Sequence, residues 1–222
     1  DERNKMLPPP PPAGEKKKRA VVALDLSATM DYTFGLAMLE PDEAGMQDIY
    51  CAPFIPADTL IDRMNRDRAP VKTWSDEGWL VATPGNVVDQ DALKEWLVNL
   101  RDRVEVLEVS MDPHNASKLQ TELMALGFNV VAVTQTAPSM SPLIKETEKA
   151  IHSKRFRHGG HPVLRWMMAN VACTKDSKEN YFLNKQKSRD RIDGAVCLCM
   201  ARGRWEHQKA PRQMSLSVMV LG

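Results

Sequence analysis

Apolar residues fall in short blocks through the first quarter of the chain. Ala20 to Leu26, Thr33 to Leu39 and Asp48 to Phe54 are separated by Asp, Pro and Gly, and they predict three consecutive antiparallel strands. The spacing then changes. Ala57 to Arg66 reads as a short amphipathic helix with Leu60, Ile61 and Met64 on one side, and Trp79 to Ala82 as an extended piece before the turn Thr83-Pro84-Gly85-Asn86.

Leu93, Trp96, Leu97 and Leu100 recur at helical spacing behind a cap at Asp89 or Asp91, and this helix reaches Arg101. Val104 to Met111 alternates and then becomes buried-strand-like. Asn115 is placed to cap a helix carrying Leu119, Leu123 and Leu126, Gly127 to end it, and Asn129 to Thr134 to form another strand. A β-α-β unit therefore surrounds Asp112. Beyond it the pattern predicts helices from Ser141-Pro142 to about Ser153 and from Pro162 to about Asn170. A strand at Val171 to Thr174, a polar turn over Lys175 to Asn180 and a last helix from Arg189 to Arg202 follow, the helix burying Ile192, Val196, Cys199 and Met200. Three strands, then α/β units, then a final helix is the order of an α/β, ribonuclease H-like domain, a mixed central sheet flanked by helices.

Length and composition limit what surrounds this unit. A chain of 222 residues with 43% hydrophobic content suits one core with attached tails. Residues 1–19 hold Pro8 to Pro12 and the basic group Lys16-Lys17-Lys18-Arg19, so they read as a proline-rich, basic, extended linker; the folded domain is expected over 20–204 and a tail over 205–222, with Met214 to Leu221 a candidate edge strand or docking segment. A start at Asp1 beside such a linker reads as a domain cut from a longer protein. No apolar run reaches the roughly 18 to 20 residues of a membrane span, and the N-terminal stretch has no apolar signal core, which points to a soluble, intracellular protein with no membrane partner.

Charge is nearly balanced overall at +1, but residues 1–141 carry 14 Lys and Arg against 22 Asp and Glu (net −8), whereas residues 142–222 carry 16 against 7 (net +9). The later third is the candidate polyanion face, the plainer alternative being ordinary solvated charge. Cys51, Cys173, Cys197 and Cys199 show no C-x-x-C spacing and read as reduced core residues. His158 and His161 lack a second paired motif, so a zinc site is the weaker reading and a Gly-rich turn the better one.

Three aspartates stand at the ends of apolar elements. Asp25 closes the first strand, Asp112 follows the Val104 to Met111 strand, and Asp193 lies in the first turns of the last helix. Each has a plain alternative singly: a turn at Asp25, a turn or cap at Asp112-Pro113, a favourable helix-start charge at Asp193. Together they make a carboxylate cluster able to hold divalent metal, and their hard oxygens suit Mg2+ or Mn2+ rather than zinc. Lys185, Lys187, Arg189 and Arg191 flank the last acid, and Lys154, Arg155, Arg157, His158 and Arg165 form a second candidate phosphate-binding set.

Ordered blocks carry a family resemblance beyond these acids. Asp25-Leu26-Ser27 with Asp31-Tyr32-Thr33, Trp79-Leu80, Thr83-Pro84-Gly85-Asn86-Val87-Val88-Asp89 and Met111-Asp112-Pro113-His114-Asn115-Ala116 come in that order. They are followed by Arg157-His158-Gly159-Gly160-His161-Pro162-Val163-Leu164-Arg165-Trp166 and Lys187-Ser188-Arg189-Asp190-Arg191-Ile192-Asp193-Gly194. From about Arg19 to Arg204 the chain resembles the nuclease domain of tailed-bacteriophage large terminase subunits. The resemblance implies an endonuclease that cuts concatemeric double-stranded phage DNA during genome packaging by two-metal hydrolysis, with Asp25, Asp112 and Asp193 as ligands of two Mg2+ or Mn2+ ions. Asp31, Asp89 and Asp190 are further acids of its motifs without an assigned role. It also implies an ATPase domain of the same protein, a small terminase subunit and the portal of the procapsid as partners, and the host bacterial cytoplasm as the place of action. No G-x-x-x-x-G-K-[ST] phosphate loop occurs, so the motor is not within this sequence. The rival enzyme class, an actin-like or sugar-kinase fold, needs Gly-rich phosphate loops that are not found. The non-enzyme rival is a DNA-clamping or docking module of the packaging motor.

Overall fold

The three early apolar runs become β1 (Arg19–Asp25), β2 (Thr33–Leu39) and β3 (Gln47–Pro56), each antiparallel to the next. The computed structural model describes residues 5–27, 32–114 and 117–209. β4 (Val81–Thr83) adds parallel to β3, and β5 (Glu105–Met111) and β6 (Val130–Ala132) extend the other side, giving the order β4-β3-β2-β1-β5-β6. β7 (Phe156–Arg157) pairs with the start of β3, and β8 (Cys173–Lys175) with β9 (Tyr181–Leu183) makes a separate hairpin. β1, β5 and β6 are mutually parallel, so their C-terminal ends open on one edge of the sheet.

Alternation along the strands divides the core in two. Val21 and Ala23 of β1 and Phe34, Leu36 and Met38 of β2 face a layer containing α5 (Ala137–His152), α6 (Pro162–Ala169) and α7 (Asp193–Lys209). Ala20, Val22 and Leu24 face the opposite layer, where α3 (Gln90–Arg103) and α4 (Ser117–Ala125) bury Leu93, Leu97, Leu100, Leu119 and Leu123. Period-two burial on both faces is what a central strand covered by helices requires. Close approach sets two glycines: a Cβ on Gly35 would lie 2.7 Å from the Trp96 ring, and one on Gly203 would collide with the Leu143 side chain. Asp89 caps α3 by accepting the Asp91 amide at 2.8 Å, in line with one of its two expected caps.

Several elements differ from their sequence readings, each for a visible reason. Residues Ala57–Thr59 form a 3-10 turn, and α1 (Leu60–Asp67) exposes Ile61 and Met64 while burying Arg63 and Asp67. The polar pair faces inward because its members meet each other at 3.7 Å and the Arg63 guanidinium lies over the Tyr32 ring at 5.8 Å. A further helix, α2 (Val71–Asp76), follows. α5 starts at Ala137, four residues before Ser141, and carries Pro142 in its interior at the loss of one helical hydrogen bond. The last helix begins at Asp193, because Arg189 and Arg191 are tied by their backbones to Asn170 at 3.0 and 3.2 Å and held out of helical geometry. Asp190 is therefore in a loop and not one helical turn from Asp193.

The ends differ too. Residues 8–12 have no regular structure, as a linker would, yet the stretch lies on the domain: Met6 and Leu7 are buried with α3, Trp96 donates to the Met6 carbonyl at 3.1 Å and Arg103 to that of Pro8 at 2.8 Å. The domain does not stop at 204, since α7 continues to Lys209 with Trp205 buried. Cys51, Cys197 and Cys199 are buried free thiols, but Cys173 is exposed on its short edge hairpin. The expected cap at Asn115 and the segment Met214 to Leu221 lie outside the described residues. Among the described residues no helix is long and apolar enough to cross a membrane.

Candidate metal centre

Parity brings the first acid inward. Val21, Ala23 and Asp25 lie on the same face of β1, the face covered by α7, and Asp25 is only 5% exposed. β5 runs parallel to β1 with Met111 opposite Leu24, so Asp112 follows on the neighbouring strand beside Asp25, at the roughly 5 Å spacing of paired strands. The third acid comes from α7, held against the sheet by a buried polar anchor. Arg204 grips the Glu108 carboxylate of β5 with both arms of its guanidinium, one bond at 2.7 Å, and Gln208 also donates to it. With that helix seated, Asp193 in its first turn reaches the edge where β1 and β5 end.

One ammonium joins two of the acids. Lys185 Nζ lies 3.5 Å from Asp25 Oδ2 and 4.0 Å from Asp193 Oδ1, and the Gln135 amide, just beyond β6, donates to Asp25 Oδ1 at 2.8 Å. Burial acts against the charged lysine, yet the two carboxylates outweigh it and hold its pKa above the ordinary value. Asp112 faces differently: its Oδ1 accepts the His114 amide at 2.9 Å. Among the described residues, no three His, Cys, Asp or Glu side chains already stand together as a ligand set. The donor chemistry nonetheless fits a hard cation, because two carboxylates already share one positive charge and the third stands one strand away.

A cleft of about 500 Å3 opens at Asp193, lined also by Ser27, Arg66, Lys185 and Arg191. A second, of about 530 Å3, shares Arg66, Asp67 and Asp190 with it and adds Arg68, Arg189 and Trp166. Arg191 thus lines the first cleft and Arg189 the second; Lys187 is exposed on the same loop. Burial and the nearby Asp190 carboxylate raise the pKa of Asp67, with Arg63 and Arg191 opposing.

Arg157 and His158 are elsewhere. Arg157 belongs to β7, which pairs with Gln47 and Asp48 at the start of β3, whereas Asp25 is level with the far end of β3. Its guanidinium is engaged by Asp48 at 2.7 and 3.2 Å and by Asp42 at 2.8 Å, so it fastens β7 to the sheet. His158 lines an apolar pocket on that side with Ile49, Phe156 and Leu198. His161 is buried, accepts the Leu164 amide as the cap of α6, and meets the Trp79 ring edge-on at 5.1 Å; burial pushes its pKa down to about 4. Asp89 is engaged as a helix cap, and Asp31 lies outside the described residues. Sequence reading missed Gln135, Arg66 and Asp67. Gln135 follows a parallel strand beside β5, a position that topology marks as an active edge; nothing in the local pattern of α1 signals its inward polar face.

Comparison with known proteins places the whole arrangement. The family model for the terminase large subunit endonuclease domain matches residues 3–209. The terminase large subunit of Enterobacteria phage HK97 is 32% identical over 182 residues, covering 81% of this chain and 36% of that protein. The crystal structure of the HK97 large terminase superposes with a TM-score of 0.79 at 30% identity, over 91% of this chain and 42% of that one. That of the large terminase nuclease from the thermophilic phage G20c shares the fold, with a TM-score of 0.56 at 15% identity over 90% and 93%. This chain spans well under half the length of its HK97 relative. With a ribonuclease H-like mixed sheet, and with the family model covering nearly all of its length, the chain belongs to the terminase large subunit endonuclease domain family.

Proposed function

We propose that this chain is a divalent-metal-dependent endonuclease that cuts concatemeric double-stranded phage DNA during genome packaging. The observation that carries the reading is the convergence of Asp25 and Asp193, from a strand and a helix far apart in sequence, on one ammonium, with Asp112 on the adjoining strand. Acids so close are costly without a cation between them.

Asp25, Asp112 and Asp193 hold two ions, Mg2+ or Mn2+, once the Asp112 carboxylate turns from the His114 amide. When bound, the ions supply the Lewis acidity that activates water and offsets charge on the scissile phosphate. Gln135 orients Asp25 by its hydrogen bond to Oδ1, leaving Oδ2 to face Lys185. Arg66, Arg189 and Arg191 receive backbone phosphates at the cleft, which predicts binding that is weakly sequence-dependent and steeply salt-dependent. By its likeness to large terminase subunits, its partners are an ATPase domain, a small terminase subunit and the procapsid portal, in the host cytoplasm.

Supercoiled plasmid incubated at low salt with Mg2+, Mn2+ or EDTA tests the reading. Expected are nicking and linearisation with metal, none with EDTA, and at least about a hundredfold loss for Asp25→Asn and Asp193→Asn with DNA affinity retained. Because Asp112 is engaged by a backbone amide and Lys185 neutralises the other pair, a DNA-clamping module is the second reading. Absence of cleavage with every metal, DNA binding intact, favours it.

A further inference from the structure

The loop that delivers Lys185 is firmly built, while the lysine itself is loosely held. Asn184 donates its amide to the Ala172 carbonyl at 2.8 Å, and its side-chain oxygen accepts the amides of Gln186 and Lys187 at 3.0 and 3.1 Å. Its carbonyl takes both the Ser188 amide at 2.8 Å and the Ser188 hydroxyl at 2.7 Å. The backbone on either side of Lys185 is thereby pinned. Its ammonium, by contrast, stands at 3.5 and 4.0 Å from its two carboxylates, and the side chain is 55% exposed. The buried Arg204 and Glu108 pair shows what a permanent ion pair looks like in the same protein: two short bonds on a carboxylate 1% exposed.

We propose that Lys185 is a built-in, displaceable counter-ion: its ammonium holds the place between Asp25 and Asp193 where a divalent cation binds, and gives way when the cation arrives. The inference rests on the metal-site reading above. A lysine suits the task better than arginine, because a point charge on a four-carbon stem leaves without breaking a bidentate fork. The arrangement keeps the acids from repelling one another in the metal-free protein. It also makes metal and DNA help one another: the displaced ammonium swings into the cleft lined by Arg66 and Arg191, where a phosphate is a new partner, and coupling of this kind is reciprocal.

Calorimetric titration of Mn2+ into the DNA-free 222-residue chain reads the effect directly. Lys185→Met is expected to bind Mn2+ about tenfold tighter or more, and Lys185→Arg to stay near the unaltered protein or weaker. Equal or weaker affinity in Lys185→Met overturns the proposal. Asp193→Asn separates this failure from that of the metal site itself. If Asp193→Asn leaves Mn2+ binding unchanged, the metal-site reading falls and the counter-ion role with it; if it abolishes binding while Lys185→Met does nothing, only the counter-ion role falls. A second measurement needs no variant: the rate of reductive methylation of Lys185, followed by mass spectrometry, is expected to rise at least about threefold when Mn2+ saturates the site, as an amine freed from two carboxylates reacts faster. An unchanged rate overturns the proposal.

Discussion

At the scale of the residue, the same side-chain type does different work according to what surrounds it. Arg157 and Arg191 are both basic residues near a motif block, yet one is spent on Asp48 and Asp42 and the other lines the acid cleft. His161 is the sharpest case, buried against Trp79 with a pKa pushed from 6.5 to about 4. Because the folded imidazole resists protonation, the unfolded chain binds the extra proton between these values, and stability falls as pH drops through that window. Urea unfolding is expected to lose on the order of 2–3 kcal/mol from this residue between pH 6.5 and 4. His161→Asn, which keeps a capping side chain, flattens the slope over this window; an identical slope in the variant assigns the effect to other groups. The candidate ligands Asp25, Asp112 and Asp193 were legible in sequence because each closes or opens an apolar element. Lys185 was legible only as a basic neighbour of Asp193, since no local pattern reveals that its ammonium also meets Asp25.

At the scale of the element, α7 decides whether there is a site. It carries Asp193 at its start and is fixed to the sheet farther along by Arg204 on Glu108, a carboxylate with almost no water. Removing one partner of such a pair leaves a buried charge that Gln208 alone does not compensate. Arg204→Ala is expected to lower unfolding stability by about 3–5 kcal/mol, and Glu108→Gln with Arg204→Met to recover much of it; chemical denaturation of the two proteins checks both. Helical periodicity located α7 well but started it four residues early, because nothing in Arg189, Asp190, Arg191 and Ile192 is a helix breaker. The clamp from Asn170 that keeps them out of the helix comes from another helix end. In α1 periodicity misled more seriously: Ile61 and Met64 mark an apolar stripe that faces solvent, while Arg63 and Asp67 turn toward Tyr32.

At the scale of the molecule, the two-layered core and its N-terminal strap form one cooperative body. Met6 and Leu7 contribute buried apolar area to the layer under α3, and Trp96 and Arg103 bond the carbonyls of Met6 and Pro8. A chain starting at Glu15 is therefore expected to unfold with about 2–4 kcal/mol less stability and a lower melting temperature in calorimetry, with its plasmid cleavage retained below that temperature. An unchanged melting temperature would make the strap a passive tether.

The sequence by itself determined what local forces determine. Short apolar runs specified β1, β2, β3 and β5, helical spacing specified α3 and α7, and the acids at their ends stood out as candidate ligands. Tertiary structure alone decided which charged groups meet, because a charge is compatible with any solvated surface until a distant segment is laid beside it. Asp25 and Lys185 are separated by 160 positions, and no window along the chain contains both. Parallel pairing of β1 with β5 places Asp112 by Asp25, and the buried Glu108 anchor brings Asp193 to them. Arg157, by the same sheet geometry, is carried to the opposite end.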